Sequence, residues 1–354
     1  MVFLNERMLL AFTVSLFISV FLTEKIINFS KRVDFVDKPT EDRKLHKKKI
    51  PNLGSISIFI ASMFAYFAFS DVGGSPLRPD KLFSITILLF FLGLKDDIEP
   101  VKAGKRLMAE FLCAFFIIYI TDIRILSMYG VFGITDLPYW GSFVLTSIFI
   151  VACINAYNMI DGIDGLLGSL SLVGTIIFAI LFYSAGEWLW ALLSIVVAGS
   201  LIGFLIYNWQ PASIFMGNGG SMFLGTIFAC VSLRVMQLGT IEGAFFTITM
   251  PHTIVLGVIS IPIFDMLSVF SLRIYHGISP FKADNRHTHH RLLRLGLSHW
   301  QTVLILVFAN ILILALAYYV QERGALRSLV YTFLFCCLLE AVLIFFHWKK
   351  LGRH

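Results

Sequence analysis

Long apolar runs follow one another along almost the whole chain. A helix needs about 20 mostly apolar residues to cross the roughly 30 Å apolar layer of a bilayer. Because the runs are continuous and do not alternate, they predict helices and argue against a β-barrel. Eleven membrane-spanning helices are predicted, near residues 8–28, 54–71, 82–95, 106–121, 140–157, 165–184, 187–207, 219–237, 250–271, 300–320 and 327–347.

Composition supports this prediction. Of the 354 residues, 58% are hydrophobic and only 14% are charged, whereas soluble domains carry about 25% charged residues. We therefore expect an all-α polytopic membrane protein that forms a single domain over residues 1–354. The runs at 82–95 and 106–121 are short, so ten spans is the alternative count.

The positive charges predict how the chain is oriented. Of the 28 Lys and Arg residues, 21 lie in loops on one side of the eleven-helix arrangement, and the remaining 7 lie on the other. Loops rich in Lys and Arg stay in the cytoplasm. The N-terminus is therefore predicted outside and the C-terminus in the cytoplasm. Carboxylates and histidines collect on the same cytoplasmic face, which indicates a site for a phosphorylated, metal-bound ligand rather than for nucleic acid.

One predicted helix ends at the cytoplasmic face with two adjacent acids. GLKDD at 93–97 places Asp96 and Asp97 side by side, where a nearby cation would relieve their repulsion. Lys105 follows at the start of the next helix and is able to bind phosphate. A solvated helix end is the alternative interpretation of this segment.

The segment NAYNMIDGIDGL at 155–166 is the most specific pattern in the chain. Its four polar groups, Asn155, Asn158, Asp161 and Asp164, recur every third residue. On a continuous helix each step of three drifts by about −60°, so the first and last groups would face opposite ways. The glycines at 162 and 165 predict a break that lets the groups converge. Charged groups at this depth are costly and require partners.

Three other segments contribute to the predicted cytoplasmic site. FMGNGGS at 215–221 enters a helix with glycines that let backbone N–H groups approach an anion. The segment at 279–291 is predicted as a basic loop whose imidazoles and cations suit phosphate oxygens. A zinc site and a solvated basic loop without a ligand are the alternatives. Residues 37–54 are predicted to form a basic loop that ends in a fixed turn. Glu110 and Asp265 lie inside apolar helices, and we expect each to anchor a neighbour.

In this order, the segments resemble the polyprenyl-phosphate N-acetylhexosamine-1-phosphate transferase superfamily. The resemblance runs from residue 37 to 291 and is most specific in the 155–166 segment combined with HTHH at 287–290. This HxHH form is similar to the branch that uses GlcNAc-1-phosphate, whereas the muramoyl-pentapeptide branch typically carries three consecutive histidines. The implied reaction is attack by polyprenyl phosphate on a UDP-N-acetylhexosamine, with release of UMP, at the cytoplasmic membrane.

The resemblance also implies roles for individual residues. Asp96 and Asp97 would lie beside the acceptor phosphate and the metal, which in this superfamily is Mg²⁺, with Mn²⁺ as a substitute. Metal ligands would be Asp97, Asp161 and the residue at 218. The catalytic group would also include Lys105, His289 and His290. The remaining substrate-binding positions would be Lys48, Lys49, Asn155, Asn158, Asp164, Phe215, Arg286 and His287. A homodimer is a further expectation from the superfamily.

Asn218 departs from the superfamily pattern, which has aspartate after Met-Gly as a direct metal ligand. A carboxamide offers one neutral oxygen, whereas Mg²⁺ prefers carboxylates among its few protein ligands. We therefore expect weak metal binding and low turnover, as in an engineered inactive form or a natural variant.

Two other functions remain as alternatives. One is transfer of phospho-N-acetylmuramoyl-pentapeptide. The other, from a different class, is transport of a lipid or a nucleotide sugar. Transporters, however, tend to place their binding sites near the midplane and to contain internal repeats. Here the polar groups gather at one face and no repeat is visible.

Overall fold

The structure is a computed structural model that describes residues 2–32, 50–70, 79–279 and 286–351. Within these residues the chain is mostly helical. The helices are α1 (Val2–Arg32), α2 (Gly54–Phe69), α3 (Asp80–Ile98), α4 (Ala103–Thr121), α5 (Tyr139–Ile160), α6 (Leu166–Ser184), α7 (Trp188–Asn208), α8 (Gly217–Gln237), α9 (Pro251–Tyr275), α10 (Thr288–Arg294), α11 (His299–Val320) and α12 (Ala325–Leu351). Two short antiparallel strands, β1 (Ile241–Glu242) and β2 (Thr247–Ile248), form a hairpin.

The predicted fold class is confirmed: the chain is an all-α polytopic membrane protein. Each of the eleven predicted spans coincides with one long helix. In the described part of the chain, eight of these helices are long and apolar enough to cross a membrane, namely α1, α5, α6, α7, α8, α9, α11 and α12. Helix α2 is apolar but has only 16 residues. The number of crossings and the orientation in the membrane therefore stay predictions.

Helix α8 forms the centre of the bundle, between α3 and α5. In its most apolar window 89% of the residues are buried, compared with 17% in α12. Small residues allow the close packing, as is common between membrane helices. A Cβ atom on Gly225 of α8 would lie 2.7 Å from the Cα atom of Ile154 on α5.

Helix α1 packs along α7 through buried hydroxyl groups. Ser15 and Ser19 donate hydrogen bonds to the carbonyl oxygens of Val196 and Ser200, at 2.6 and 2.7 Å. Inside a bilayer such hydroxyls need a protein acceptor because water is absent. These contacts fix the first helix against the bundle.

The two ends of the bundle differ in their polar groups. At one end lie the last turns of α3, α5 and α7 and the first turns of α2, α8 and α11. At the other end Gln321 donates to the carbonyl oxygen of Thr247 in the hairpin and accepts from the amide of Thr249. Those predicted site residues that the structure describes belong to the first end.

Candidate active site

The carboxylate of Asp97 lies at the first turn of α8. One oxygen accepts a hydrogen bond from the backbone N–H of Asn218 (2.9 Å), and the other accepts from that of Gly219 (3.3 Å). Asn52, in the turn before α2, donates a third bond at 3.0 Å. An anion at a helix N-terminus is favoured by the free N–H groups and the helix dipole. Here the anion that meets the glycine-rich segment is therefore the protein's own carboxylate.

Glycines bring this acid and helix together. A Cβ atom on Gly93 of α3 would lie 2.6 Å from the backbone of Asn218, and one on Gly217 would lie 2.6 Å from a carboxylate oxygen of Asp97. Gly217 also has φ near +80°, a conformation that favours glycine. GLKDD and FMGNGGS are therefore in direct backbone contact.

Asp96 turns away from Asp97. Its oxygens accept from the backbone N–H of Val101 (2.6 Å) and from Arg106 (3.3 Å), in the connection to α4. Arg106 also lies 3.5 Å from Glu110. Asp96 is therefore part of the α3–α4 connection, and the structure separates the two acids that the sequence analysis grouped around one metal.

The two asparagines of α5 contact different helices, as the −60° drift requires. Asn155 donates to the carboxylate of Glu110 on α4 and to the Val151 carbonyl oxygen. Asn158 donates to the side-chain oxygen of Asn218 (2.7 Å) and to the Ser221 hydroxyl (2.8 Å) on α8. The anchoring role expected for Glu110 is confirmed, because it orients Asn155.

The predicted break after α5 is confirmed, and Asp161 lies in it. The helix ends at Ile160 and the next begins at Leu166, with Gly165 at a φ of +78°. Burial of the Asp161 carboxyl group, with the negative charges of Asp97 and Asp164, raises its pKa to about 7. Burial and the neighbouring carboxylates therefore favour the protonated form of Asp161.

Asp164 lies in the scaffold behind the break. It is buried, accepts a hydrogen bond from the backbone N–H of Ala212 (3.2 Å) and lies 3.5 Å from the His299 ring. Asn208, at the end of α7, accepts from the Gly165 N–H (2.9 Å) and donates to the Ile214 carbonyl oxygen (2.8 Å). Asn52, Asn208 and His299 are not among the site residues predicted from the sequence. All three are polar residues near the end of an apolar run, and this feature could have identified them in the sequence.

The histidine segment contains a short helix, not only a loop. His287 donates to Asp265 (2.7 Å), whose other oxygen accepts from the backbone N–H of Thr288, the first residue of α10 (2.6 Å). The anchoring role expected for Asp265 is thus confirmed. Helix α10 then carries His289 and His290, whose ring centroids are 4.3 Å apart.

His289 is completely buried against the break between α5 and α6. A Cβ atom on Gly162 would lie 2.2 Å from its Nε2 atom. Burial, together with the positive charges of the neighbouring histidines and against the opposing charge of Asp265, lowers its pKa to about 3. The ring is therefore neutral at pH 7. Neither ring nitrogen has a hydrogen-bond partner within the described residues.

Several predicted residues lie at the edge of this cluster or beyond it. Lys105 is exposed in the first turn of α4, and Arg286 lies 3.3 Å from the ring of His276. Phe215 is half-buried, and its backbone pairs with Pro51 and Gly54. Lys48 and Lys49 are outside the described residues, so their predicted roles stay predictions.

The predicted metal ligands are all oxygen donors. Asp97 contacts the backbone of Asn218. Asp161 lies close enough to Asp97 for the negative charge of Asp97 to raise the pKa of Asp161. Two carboxylates and one carboxamide fit Mg²⁺ in donor type. Across the described residues, however, no group of three or more His, Cys, Asp or Glu side chains is arranged to hold a metal. These three oxygen donors therefore suit Mg²⁺, but Asn218 supplies a carboxamide where the superfamily pattern has a carboxylate.

Comparison with known proteins agrees with this geometry. The family model described as glycosyl transferase family 4 matches residues 81–236, which include three of the motifs above. The chain is 34% identical over 312 residues to the probable undecaprenyl-phosphate N-acetylglucosaminyl 1-phosphate transferase of Bacillus subtilis, covering 86% of this chain and 83% of that relative. The chain belongs to glycosyl transferase family 4. Its resemblance to the polyprenyl-phosphate hexosamine-1-phosphate transferases is confirmed.

Other relatives match over similar lengths. The undecaprenyl-phosphate alpha-N-acetylglucosaminyl 1-phosphate transferase of Thermotoga maritima is 30% identical over 325 residues, which is 91% of this chain and 95% of that protein. The decaprenyl-phosphate N-acetylglucosaminephosphotransferase of Mycobacterium tuberculosis is 29% identical over 327 residues, covering 86% and 80%. This family 4 member therefore matches such enzymes along most of its length.

Proposed function

We propose that this family 4 transferase moves GlcNAc-1-phosphate from UDP-GlcNAc to undecaprenyl phosphate in the cytoplasmic membrane. An oxygen of the lipid phosphate forms a bond to the sugar-bearing phosphorus. The bond from that phosphorus to the bridging oxygen breaks, and UMP leaves. The product is a lipid-linked diphosphate sugar, the starting unit of a cell-envelope polysaccharide. The named activities of the relatives support this reaction.

One structural observation carries the proposal. Asp97, Asn158, Asp161 and Asn218 come from three helix ends and meet at one end of the bundle. Such a cluster suits a reaction between a water-soluble diphosphate and a lipid phosphate, because both reach the boundary of the membrane. We place this end on the cytoplasmic side, following the distribution of Lys and Arg.

The main task of the site is to offset repulsion between two anions. Mg²⁺ held by Asp97, Asp161 and Asn218 would neutralise charge on the reacting phosphates, which is the core of phosphoryl-transfer catalysis. His289 and His290 would contact the diphosphate, and a neutral His289 ring can do so as a hydrogen-bond donor. Lys105 and Arg286 would add positive charge from the rim.

No strong general base is required in this scheme. The second pKa of a phosphate monoester is about 6, so the acceptor is mostly a dianion at pH 7. The carboxylate of Asp97 already accepts three hydrogen bonds. We therefore assign it to orientation and metal binding rather than to proton removal.

The decisive experiment restores the carboxylate at position 218. We expect Asn218→Asp to raise the rate of UMP release at limiting Mg²⁺ by at least about tenfold, because a charged oxygen replaces a neutral one at the metal. Purified protein would be assayed with undecaprenyl phosphate and UDP-GlcNAc over a Mg²⁺ titration. Equal rates for both forms at limiting Mg²⁺ would contradict the metal assignment.

The same assay separates the alternatives. UDP-GalNAc and UDP-muramoyl-pentapeptide would be tested beside UDP-GlcNAc, with radiolabel followed into butanol-extractable lipid. Preference for the pentapeptide nucleotide would replace the proposed substrate. Movement of label across vesicles without any lipid-linked product would indicate a transporter.

A further inference from the structure

Helix α10 is held by two carboxylates from two different long helices. Asp265 on α9 accepts the backbone N–H of Thr288. Glu340 on α12 accepts the hydroxyl of the same threonine at 3.0 Å and forms an ion pair with Arg291. One acid therefore binds the backbone at the start of α10, and the other binds two of its side chains.

Glu340 lies in an unusual place for an acid. It is five residues before the end of the apolar span of α12, the most exposed of the spanning helices. Only 18% of its side chain is exposed, and its third partner is the Ser268 hydroxyl on α9, at 3.0 Å. Acids within spanning helices are costly and normally functional. Every partner of Glu340 identified above lies on α9 or α10.

Helix α10 needs such support because it has only seven residues. Isolated helices shorter than about 12–15 residues are marginal in water. Its position matters because His289, one residue after Thr288, packs directly against Gly162 beside Asp161. A small shift of α10 would therefore move the imidazoles relative to the acids of the site.

We propose that Glu340 is a positioning residue of the transfer reaction. Through Thr288 and Arg291 it holds α10, and α10 presents His289 and His290 to the diphosphate of the donor substrate. This inference rests on the proposed function for the nature of that substrate. In this role Glu340 would act through α10 without contacting a substrate, and it lies outside the residues matched by the family model, 81–236.

The test compares Glu340→Gln with Thr332→Val on the same helix. Thr332 is buried, and its hydroxyl bonds to the carbonyl oxygen of Ser328 within α12, so it is a matched control. We expect Glu340→Gln to speed amide hydrogen exchange in residues 288–294 at least tenfold and to raise the KM for UDP-GlcNAc at least fivefold. The KM for undecaprenyl phosphate should change less than twofold, and Thr332→Val should change none of these values.

A second pair of variants tests the same contact in case the Glu340→Gln protein does not fold. Thr288→Val removes the hydroxyl that Glu340 accepts, whereas Thr288→Ser keeps it, and both retain the backbone N–H that Asp265 accepts. The valine variant should follow the pattern of Glu340→Gln, and the serine variant should lie closer to the wild type.

The outcomes are distinguishable. Unchanged exchange in α10 for both Glu340→Gln and Thr288→Val, or an equal rise in the KM values of both substrates, would overturn the positioning role and leave the proposed function intact. Absence of UMP release from both the wild type and Asn218→Asp would overturn the proposed function, and with it the positioning of a donor diphosphate.

Discussion

Two helices at the polar end of the bundle begin on a carboxylate, but the two junctions work in opposite ways. Asp97 accepts backbone N–H groups at the start of α8, and Asp265 accepts one at the start of α10. Helix α8 has 21 residues and is packed between α3 and α5, whereas α10 has seven. At the first junction the helix therefore fixes the acid. At the second, Asp265 and Glu340 fix the helix.

The comparison shows which part of each junction tolerates change. At Asp97 the geometry is set by backbone contacts between long helices, so steric changes there should be severe. At α10 the geometry is set by side chains, which are able to adjust. Substitutions at the two junctions can test this difference, beginning with the one that should cost the most activity.

Gly93→Ala should be the most damaging substitution. Its Cβ atom would lie 2.6 Å from the backbone of Asn218, which cannot move without shifting α8. We expect activity to fall more than about 100-fold, because misplacement by about 1 Å is enough for such a loss. Gly104→Ala is the matched control, since its Cβ atom would meet nothing within 4 Å. Similar activities for the two variants would show that the α3–α8 contact does not set the site.

Gly162→Ala should have a smaller effect, because its new Cβ atom meets the end of a side chain. The atom would lie 2.2 Å from Nε2 of His289, which must then rotate or move with α10. We expect kcat/KM to fall about 30-fold, because the His289 ring is displaced but the backbone of the site is not. Combining it with His289→Ala relieves the collision, so the double variant should be no worse than His289→Ala alone. An additive loss would argue against the contact.

Binding of Mg²⁺ should weaken as the pH falls through 7. Because the pKa of Asp161 is raised to about 7, its carboxyl group is largely protonated at pH 6 and largely ionised at pH 8 in the metal-free protein. The metal requires the ionised form, so the apparent affinity should be about tenfold higher at pH 8 than at pH 6. Calorimetric titration at both pH values would measure this. Asp161→Asn should reduce this pH dependence. Equal Mg²⁺ affinities of the wild type at pH 6 and pH 8 would contradict the role assigned to Asp161.

Asn52→Ala should be the mildest change at the Asp97 junction. It removes one side-chain donor at 3.0 Å, while both backbone donors of α8 remain. A typical hydrogen bond contributes about 1 kcal/mol to stability. We expect a drop of that size in the free energy of unfolding and a loss of activity of only a few-fold. A loss as large as that of Gly93→Ala would mean that the side-chain donor, not the backbone, fixes the acid.

The long helices could be predicted from sequence because crossing a bilayer demands apolar runs of a particular length. The break at 161–165 could also be predicted, since two glycines interrupt polar groups in an apolar setting. Helix α10 could not, because a helix of seven residues gives little periodic signal. Its anchors, Asp265 and Glu340, lie 23 and 52 residues away from Thr288 in the chain.

The different directions of the Asp96 and Asp97 side chains also could not be predicted from the sequence. Adjacent residues on a helix point about 100° apart, so the pattern DD alone does not decide which acid faces the site. The choice depends on what packs against each one. Asp97 contacts Asn218, 121 residues further along, whereas Asp96 accepts from Val101 only five residues away.

The Asn208 side chain has a mechanical consequence. Its two hydrogen bonds, to Gly165 and to Ile214, clamp the connection between α5 and α6 to the one between α7 and α8. Asp161 and Phe215 therefore lie in connections that one side chain ties together, although the two residues are far apart in the chain. In the proposed reaction, a substrate bound against one of these connections would meet the other in a fixed relative position.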